Sequence, residues 1–305
     1  WLLRFARLRE LEVGPVPSAS QDKLAVVLGD LPQLKNLKVQ LMKSPSGHNF
    51  SFRPPAWLTA LTLDVDSCGL SPLLQAARYC PQLTSLTLLG ISCGWGEILD
   101  AIQQVDEAFP HLHHLGLGTS MCTSRADRDF GSELARKLGA IERLRGVELV
   151  DLPLPTAEWQ GQLERVCLRA TKSRRVCLDT PRDFWKAILH PGLLELRLMI
   201  DKPLDCHTLA RYLILYLPTT RKLTVFRVWC RASGYDLEDL WTEVCQKLGQ
   251  LRHLAEVELY LKQNDRRGLG VDIADALKYS LNLLEDWQLK PRESSMDIRQ
   301  VFVRM

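Results

Sequence analysis

No C-x-x-C pair occurs among the nine cysteines of this 305-residue chain, which removes the spacing used by structural zinc sites and dithiol redox centres. A dominant charge is also missing. Lys and Arg number 39 against 36 Asp and Glu, a net charge of +3, far from the dense basic stripe that nucleic acid or an anionic membrane selects. The longest apolar stretch, around Leu209 to Leu217, is interrupted by Arg211 and falls short of the roughly 20 residues a bilayer span needs. Gly116 and Gly118 lack the Lys and Ser or Thr of a phosphate loop, and Gly268-Leu269-Gly270 lacks the third glycine of a dinucleotide fingerprint. There is no G-x-S-x-G elbow, and no cysteine lies in a recognisable nucleophile signature. His111, His113 and His114 stand close in sequence without a nearby Cys or carboxylate to complete a tetrahedral set. The expectation is a non-catalytic protein with no cofactor and no metal, and with neither nucleic acid nor membrane as its partner.

What the chain does contain is repetition. The pattern L-x-x-L-x-L, with conservative swaps, returns at Leu8/Leu11/Val13, Leu34/Leu37/Val39, Leu58/Leu61/Leu63, Leu83/Leu86/Leu88, Leu112/Leu115/Leu117 and Leu144/Val147/Leu149. It continues at Leu193/Leu196/Leu198, Leu223/Phe226/Val228, Leu254/Val257/Leu259 and Leu284/Trp287/Leu289. The middle residues are 24 to 32 apart, except for a gap of 49 between Val147 and Leu196. Val176 and Leu178 offer the last two apolar places of a unit inside that gap, which gives about eleven degenerate units.

Within each unit the last two apolar residues alternate with polar ones, the period of a strand with one buried face. Segments with helical spacing lie between them, such as Leu73, Leu74 and Ala77 before Cys80, or Leu209, Leu213 and Leu217 before Pro218. These patterns predict an α/β leucine-rich-repeat solenoid. It would be a horseshoe with a parallel concave sheet and convex helices, occupying 1–305 as a single domain. With 46% hydrophobic and 25% charged residues, the composition is that of ordinary folded, soluble material. The chain begins at Trp1 directly in a repeat-like segment and reads as an excised part of a longer protein.

Cys68, Cys93 and Cys122 each follow the last motif leucine by five residues and are expected to share one column of small buried thiols. Unpaired thiols favour a reducing compartment, so the localisation expected is cytoplasmic or nuclear.

The wording Ala76-Ala77-Arg78-Tyr79-Cys80-Pro81-Gln82-Leu83-Thr84-Ser85-Leu86-Thr87-Leu88 resembles the helix-to-strand passage in the repeat region of eukaryotic F-box leucine-rich-repeat proteins. Similar wording recurs at Leu31-Pro32-Gln33-Leu34 and Phe109-Pro110-His111-Leu112, where Pro ends the helix. The regular Asn or Cys three residues after the last motif leucine is absent, its places taken by Val16, Met42, Asp66, Ile91, Ser120 and Leu152. The resemblance implies the substrate-recruiting part of a cullin-type ubiquitin ligase. No F-box sequence occurs in the chain, so an F-box or other effector domain, and the cullin-ligase adaptor it would bind, would attach outside these residues. Two other readings accompany it, the repeat region of an immune-type receptor and a GTPase-activating repeat protein.

Outward positions of neighbouring strands form columns roughly 4.8 Å apart. One column runs through Met199, Trp229 and Tyr260, large and apolar where polar residues are expected. The adjacent column carries Arg197, Arg227 and Glu258, with Arg175 expected on the strand before. These seven residues are the candidate partner-binding site, suited to a protein partner that offers an acidic or phosphorylated segment with an apolar anchor. The competing arrangement pairs Arg197 and Arg227 with Glu195 and Glu258 and merely solvates the face. Between these residues and the N-terminus, Gly116 and Gly118 suggest a smoother region able to admit a backbone closely. The stretches 43–55 and 119–129 read as long insertions, of the kind that often carry function.

Overall fold

The computed structural model of the protein describes residues 7–42, 52–120, 130–152, 163–170, 185–186, 188–200, 205–232, 237–263, 287–290 and 298–304. The chain forms two compact units, Trp1–Pro153 and Leu154–Met305.

In the first unit six strands lie side by side in chain order: β1 Glu10–Val16, β2 Asn36–Leu41, β3 Ala60–Cys68, β4 Ser85–Ile91, β5 His114–Thr119 and β6 Gly146–Val150. Every neighbouring pair is parallel. Their register follows the repeat, with Leu11, Leu37, Leu61, Leu86, Leu115 and Val147 facing one another in sequence and the last motif residues doing the same two places on. From β2 to β6 these residues are buried. Each contributes on the order of 1.5–3 kcal/mol by leaving water. Helices Gln21–Gly29, Leu70–Ala77, Trp95–Ala108 and Phe130–Gly139 return the chain. The helical spacing is borne out at Leu73, Leu74 and Ala77, whose side chains are buried.

The repeats are joined at the point where each strand begins. The amide of the first motif leucine donates to the carbonyl three residues earlier, as from Leu34 to Leu31 at 3.1 Å and from Leu112 to Phe109 at 3.1 Å. The next repeat then places two successive amides on one carbonyl. Thr84 and Ser85 both donate to Thr59, and His113 and His114 both donate to Thr84. Thr84 adds its hydroxyl to the same Thr59 carbonyl at 3.0 Å. Backbone polar groups that the buried leucines draw out of water are satisfied by this pattern.

The second unit repeats the scheme with β7 Arg165–Ala170, β8 Glu195–Ile200, β9 Val225–Ala232 and β10 Glu256–Gln263, all parallel. Helices Asp205–Tyr216 and Leu237–Gly249 lie between its later strands. The same paired amides recur, Leu194 and Glu195 on Glu164, Thr224 and Val225 on Leu194, and Ala255 and Glu256 on Thr224. A strand with one buried face, a return helix and a shared entry turn make the fold leucine-rich-repeat-like.

Four expectations are corrected. The strand preceding β8 is 165–170, built on Leu163/Val166/Leu168, with Val166 opposite Leu196 and Leu168 opposite Leu198. Val176 and Leu178 lie outside the described residues. Leu163-x-x-Val166-x-Leu168 fits the motif as well as any other unit, but it follows Val147 after only 19 residues, shorter than every other repeat. Second, the parallel order stops at β10. Strand β12, Ile298–Arg304, pairs antiparallel with β10, and β11, Trp287–Lys290, pairs antiparallel with β12, so Trp287 and Leu289 do not continue the repeat ladder. Third, Cys68 stands opposite Ile91 because the β3–β4 register shifts after Asp64, which breaks the expected column with Cys93. Cys122 is outside the described residues. Fourth, Gly116 and Gly118 leave no open surface. A Cβ on Gly116 would meet the Thr87 side chain at 2.6 Å, and one on Gly118 would meet Leu89 Cδ2 at 2.7 Å and Val150 Cβ at 2.9 Å. Residues 43–51 and 121–129 of the two insertions also lie outside the described residues.

Gly90 is where β4 requires a glycine. Its φ is +74°, and a Cβ there would stand 1.8 Å from the Val65 carbonyl oxygen. Gly90→Ala is expected to cost about 2–4 kcal/mol, read as a fall in melting temperature by calorimetry.

Burial pushes the thiols of Cys80 and Cys245 up to about 12 from an ordinary 9.0, and Cys80 donates its S–H to the Pro55 carbonyl at 3.2 Å. An unfolded thiol loses its proton first. The stability these two groups contribute is therefore full below about pH 9 and declines as pH rises toward 12. Iodoacetamide at pH 8 should leave both unmodified in the native protein and alkylate both after denaturation, as read by peptide mass spectrometry.

Candidate functional site

On the second unit, the residues that alternate with the buried Val166/Leu168, Leu196/Leu198, Phe226/Val228 and Val257/Leu259 pairs form three rows across β7 to β10. The first row is Arg165, Glu195, Val225 and Glu256; the second is Cys167, Arg197, Arg227 and Glu258; the third is Arg169, Met199, Trp229 and Tyr260. This order is a direct result of register, because a parallel pair keeps equivalent positions adjacent and the side-chain period is two.

A groove of about 210 Å³ opens over these rows. Arg197, Met199, Arg227, Trp229 and Glu258 all line it. Tyr260 stands opposite Trp229 in the register, with its side chain outside the description. Arg175 lies outside the described residues, and the strand on which it was expected is 165–170. The arginines contributed by that strand are Arg165 and Arg169. Arg169 and Cys167 line the groove and were missed because the repeat carrying them was placed ten residues too late. The signal that finds them is the motif Leu163-x-x-Val166-x-Leu168.

Electrostatically the groove is divided. Arg197 donates its Nε–H to the Glu195 carboxylate. Arg227 donates Nε–H to Glu256 Oε1 at 2.9 Å, and its Nη2 stands 2.8 Å from the same oxygen, while Glu258 Oε2 lies 3.7 Å from Nε. Arg165 adds a longer contact to Glu195 at 3.9 Å. The two arginines expected to fork onto an acidic ligand are thus engaged with carboxylates of the first and second rows. The third row contains no acid. Trp229 there is 44% exposed, a large ring left facing solvent on an otherwise well-packed sheet.

In the first unit the equivalent outward positions are filled differently. Its equivalent rows carry the exposed Lys38–Glu12 pair at 2.6 Å and the Thr87, Leu89 and Val150 side chains closed over the glycines. Among the described residues, no group of three or more His, Cys, Asp or Glu is placed to hold a metal ion, and no helix is long and apolar enough to cross a membrane.

Because Trp229 projects from the face while Phe226 is fully buried on the other side of the same strand, the two aromatic residues should behave oppositely. Trp229→Ala is expected to change stability by less than about 1 kcal/mol, and Phe226→Ala to cost about 3–5 kcal/mol. Removing one carboxylate with Glu256→Gln should cost less than about 1 kcal/mol, as partly exposed ion pairs do. Urea denaturation of the three variants measures this.

No family model matches the chain, and no curated protein matches it. Among solved structures, the chain is similar to one titled as a crystal structure of a TLR13–ssRNA13 complex, at 12% identity and a TM-score of 0.34. The match covers 88% of this chain and 49% of that one, so the chain spans about half its length. A likeness at that level carries neither an activity nor a ligand across.

Proposed function

We propose that the protein is a non-catalytic protein-recognition module whose partner docks on the face of β7 to β10, and that it serves as the substrate-recruiting part of an F-box-type ubiquitin ligase. The observation that carries the recognition reading is the groove itself. Arginine, methionine and tryptophan side chains from consecutive strands converge there, and Trp229 remains exposed at its edge. Trp and Arg are the residues that most often dominate binding energy, and an aromatic side chain left in water by a folded sheet is suited to be covered by another protein. The ligase assignment rests on the wording at the helix-to-strand junctions. The horseshoe curvature in this reading comes from the repeat period, and the location in cytoplasm or nucleus from the cysteine usage.

The partner segment in this reading is acidic or phosphorylated and carries an apolar anchor. Capture of the natural full-length protein from cells, followed by mass spectrometry of what co-purifies, tests both levels. Wild type is expected to bring down a cullin, its adaptor and a set of clients, and Arg197→Glu/Trp229→Ala is expected to lose the clients alone. Clients that survive the double substitution would move the docking face elsewhere, and a wild-type sample without ligase components would remove the F-box assignment.

A further inference from the structure

The groove over β7 to β9 is small and has two unlike sides. Its volume of about 210 Å³ lies below the roughly 300 Å³ at which small-molecule pockets begin, which leaves space for one residue of a partner. One side is cationic, with Arg197 and Arg227 adjacent in the second row. The other is apolar, with Met199 and Trp229 adjacent in the third row. The two rows are two residues apart along each strand, a step of about 6.6 Å.

Both arginines are held by glutamates that use only part of each guanidinium. Arg197 donates its Nε–H to Glu195. Arg227 turns Nε and Nη2 toward Glu256 Oε1, at 2.9 and 2.8 Å. A guanidinium has five N–H donors in one plane, and the Nη1 donors of both residues lie outside these bonds. Both side chains remain partly exposed.

The charge balance of the face limits what it can bind. Its three rows hold four arginines and three glutamates, a net of one positive charge, and Glu258 lines the groove itself. A single carboxylate balances that charge. A phosphate group, which carries close to two negative charges near pH 7, exceeds it beside Glu258.

We propose that the groove receives the C-terminal residue of a partner protein, with its α-carboxylate on Arg197 and Arg227 and its apolar side chain against Met199 and Trp229. Only a terminal residue carries both groups on one α-carbon, which matches a space for one residue and the short step between the rows. An internal segment needs an acid from one residue and an apolar anchor from another. Capture of a C-terminal carboxylate is a recurring mode of peptide recognition, and guanidinium groups serve it through charge-assisted hydrogen bonds. This rests on the protein-recognition reading of the same face and names the partner chemistry, a free and apolar C-terminus.

Acetyl-Gly-Gly-Phe with a free C-terminus is the probe. Its C-terminal amide removes the charge, acetyl-Gly-Phe-Asp amide moves it to an internal side chain, and acetyl-Gly-Phe-phosphoserine amide replaces it with phosphate. Titration into the ¹⁵N-labelled chain should shift the indole N–H resonance of Trp229, assigned through Trp229→Phe. The free acid is expected to bind about 10-fold or more tightly than the amide, the range of a hydrogen bond to a charged group, and more tightly than either internal acid. Arg197→Gln and Arg227→Gln should each reduce the preference for the free acid while the amide still binds. Met199→Ala should weaken acid and amide alike.

Equal binding of the free acid and its amide, or of the free acid and the internal Asp peptide, overturns the inference, as does tighter binding of the phosphopeptide. A Trp229 resonance that no peptide shifts overturns it too. If Arg197→Glu/Trp229→Ala still loses its clients in that case, the docking face stands without the C-terminal pocket. Selective binding of the free acid supports the inference even where clients survive that double substitution, an outcome that instead removes the face as the client site.

Discussion

A single repeat of this chain has a leucine on its strand with nothing of its own to cover it, and the rest of the structure follows from how neighbours supply that cover. Leu83, Leu86 and Leu88 are buried because Leu58, Leu61 and Leu63 lie on one side and Leu112, Leu115 and Leu117 on the other. Apolar burial drives the stacking, but stacking is possible only if the polar backbone at each strand entry also finds partners. Two amides sharing one carbonyl of the preceding repeat meet that need throughout both units. The pattern needs no particular side chain, which accounts for the tolerance of degenerate sequence where a regular Asn would otherwise be expected. Threonine strengthens it where present, as at Thr84 and Thr224.

The same constraint fixes the outward rows. Because the inward leucines hold the register, the residues between them have no freedom to choose their neighbours, and Arg169, Met199 and Trp229 become adjacent although they are 30 residues apart in sequence at each step. The sheet acts as a template on which chemistry is arranged at strand spacing. Glutamates on the first row occupy Arg197 and Arg227 on the second. An ion pair of this kind adds little to stability, but it fixes where the donors of the two guanidinium groups point.

In the first unit the rows are closed instead of open. Gly116 and Gly118 look, as letters, like gaps in the surface, yet Thr87, Leu89 and Val150 lean into the space their missing Cβ atoms leave. A glycine read alone suggests access, whereas a glycine beside larger neighbours on both strands is filled by them. Gly90 has a separate role, since its positive φ and its contact with the Val65 carbonyl set the place where β3 and β4 change register.

The repeat motif by itself determined the parallel strands, their inward residues and the adjacency of Arg197 with Arg227 and of Met199 with Trp229, because hydrophobic period and register are the same physical fact. It left two things undecided. Where two candidate motifs competed in the interval between Val147 and Leu196, local pattern could not choose, and only pairing with β8 selected Leu163/Val166/Leu168 and brought Arg169 to the groove. At the other end, Leu284/Trp287/Leu289 fits the motif perfectly well, but β12 folds back antiparallel against β10 and takes the place beside it. Strand partners and salt-bridge partners are chosen by competition among distant segments for the same edge or the same guanidinium, and that competition is resolved only when the chain is folded.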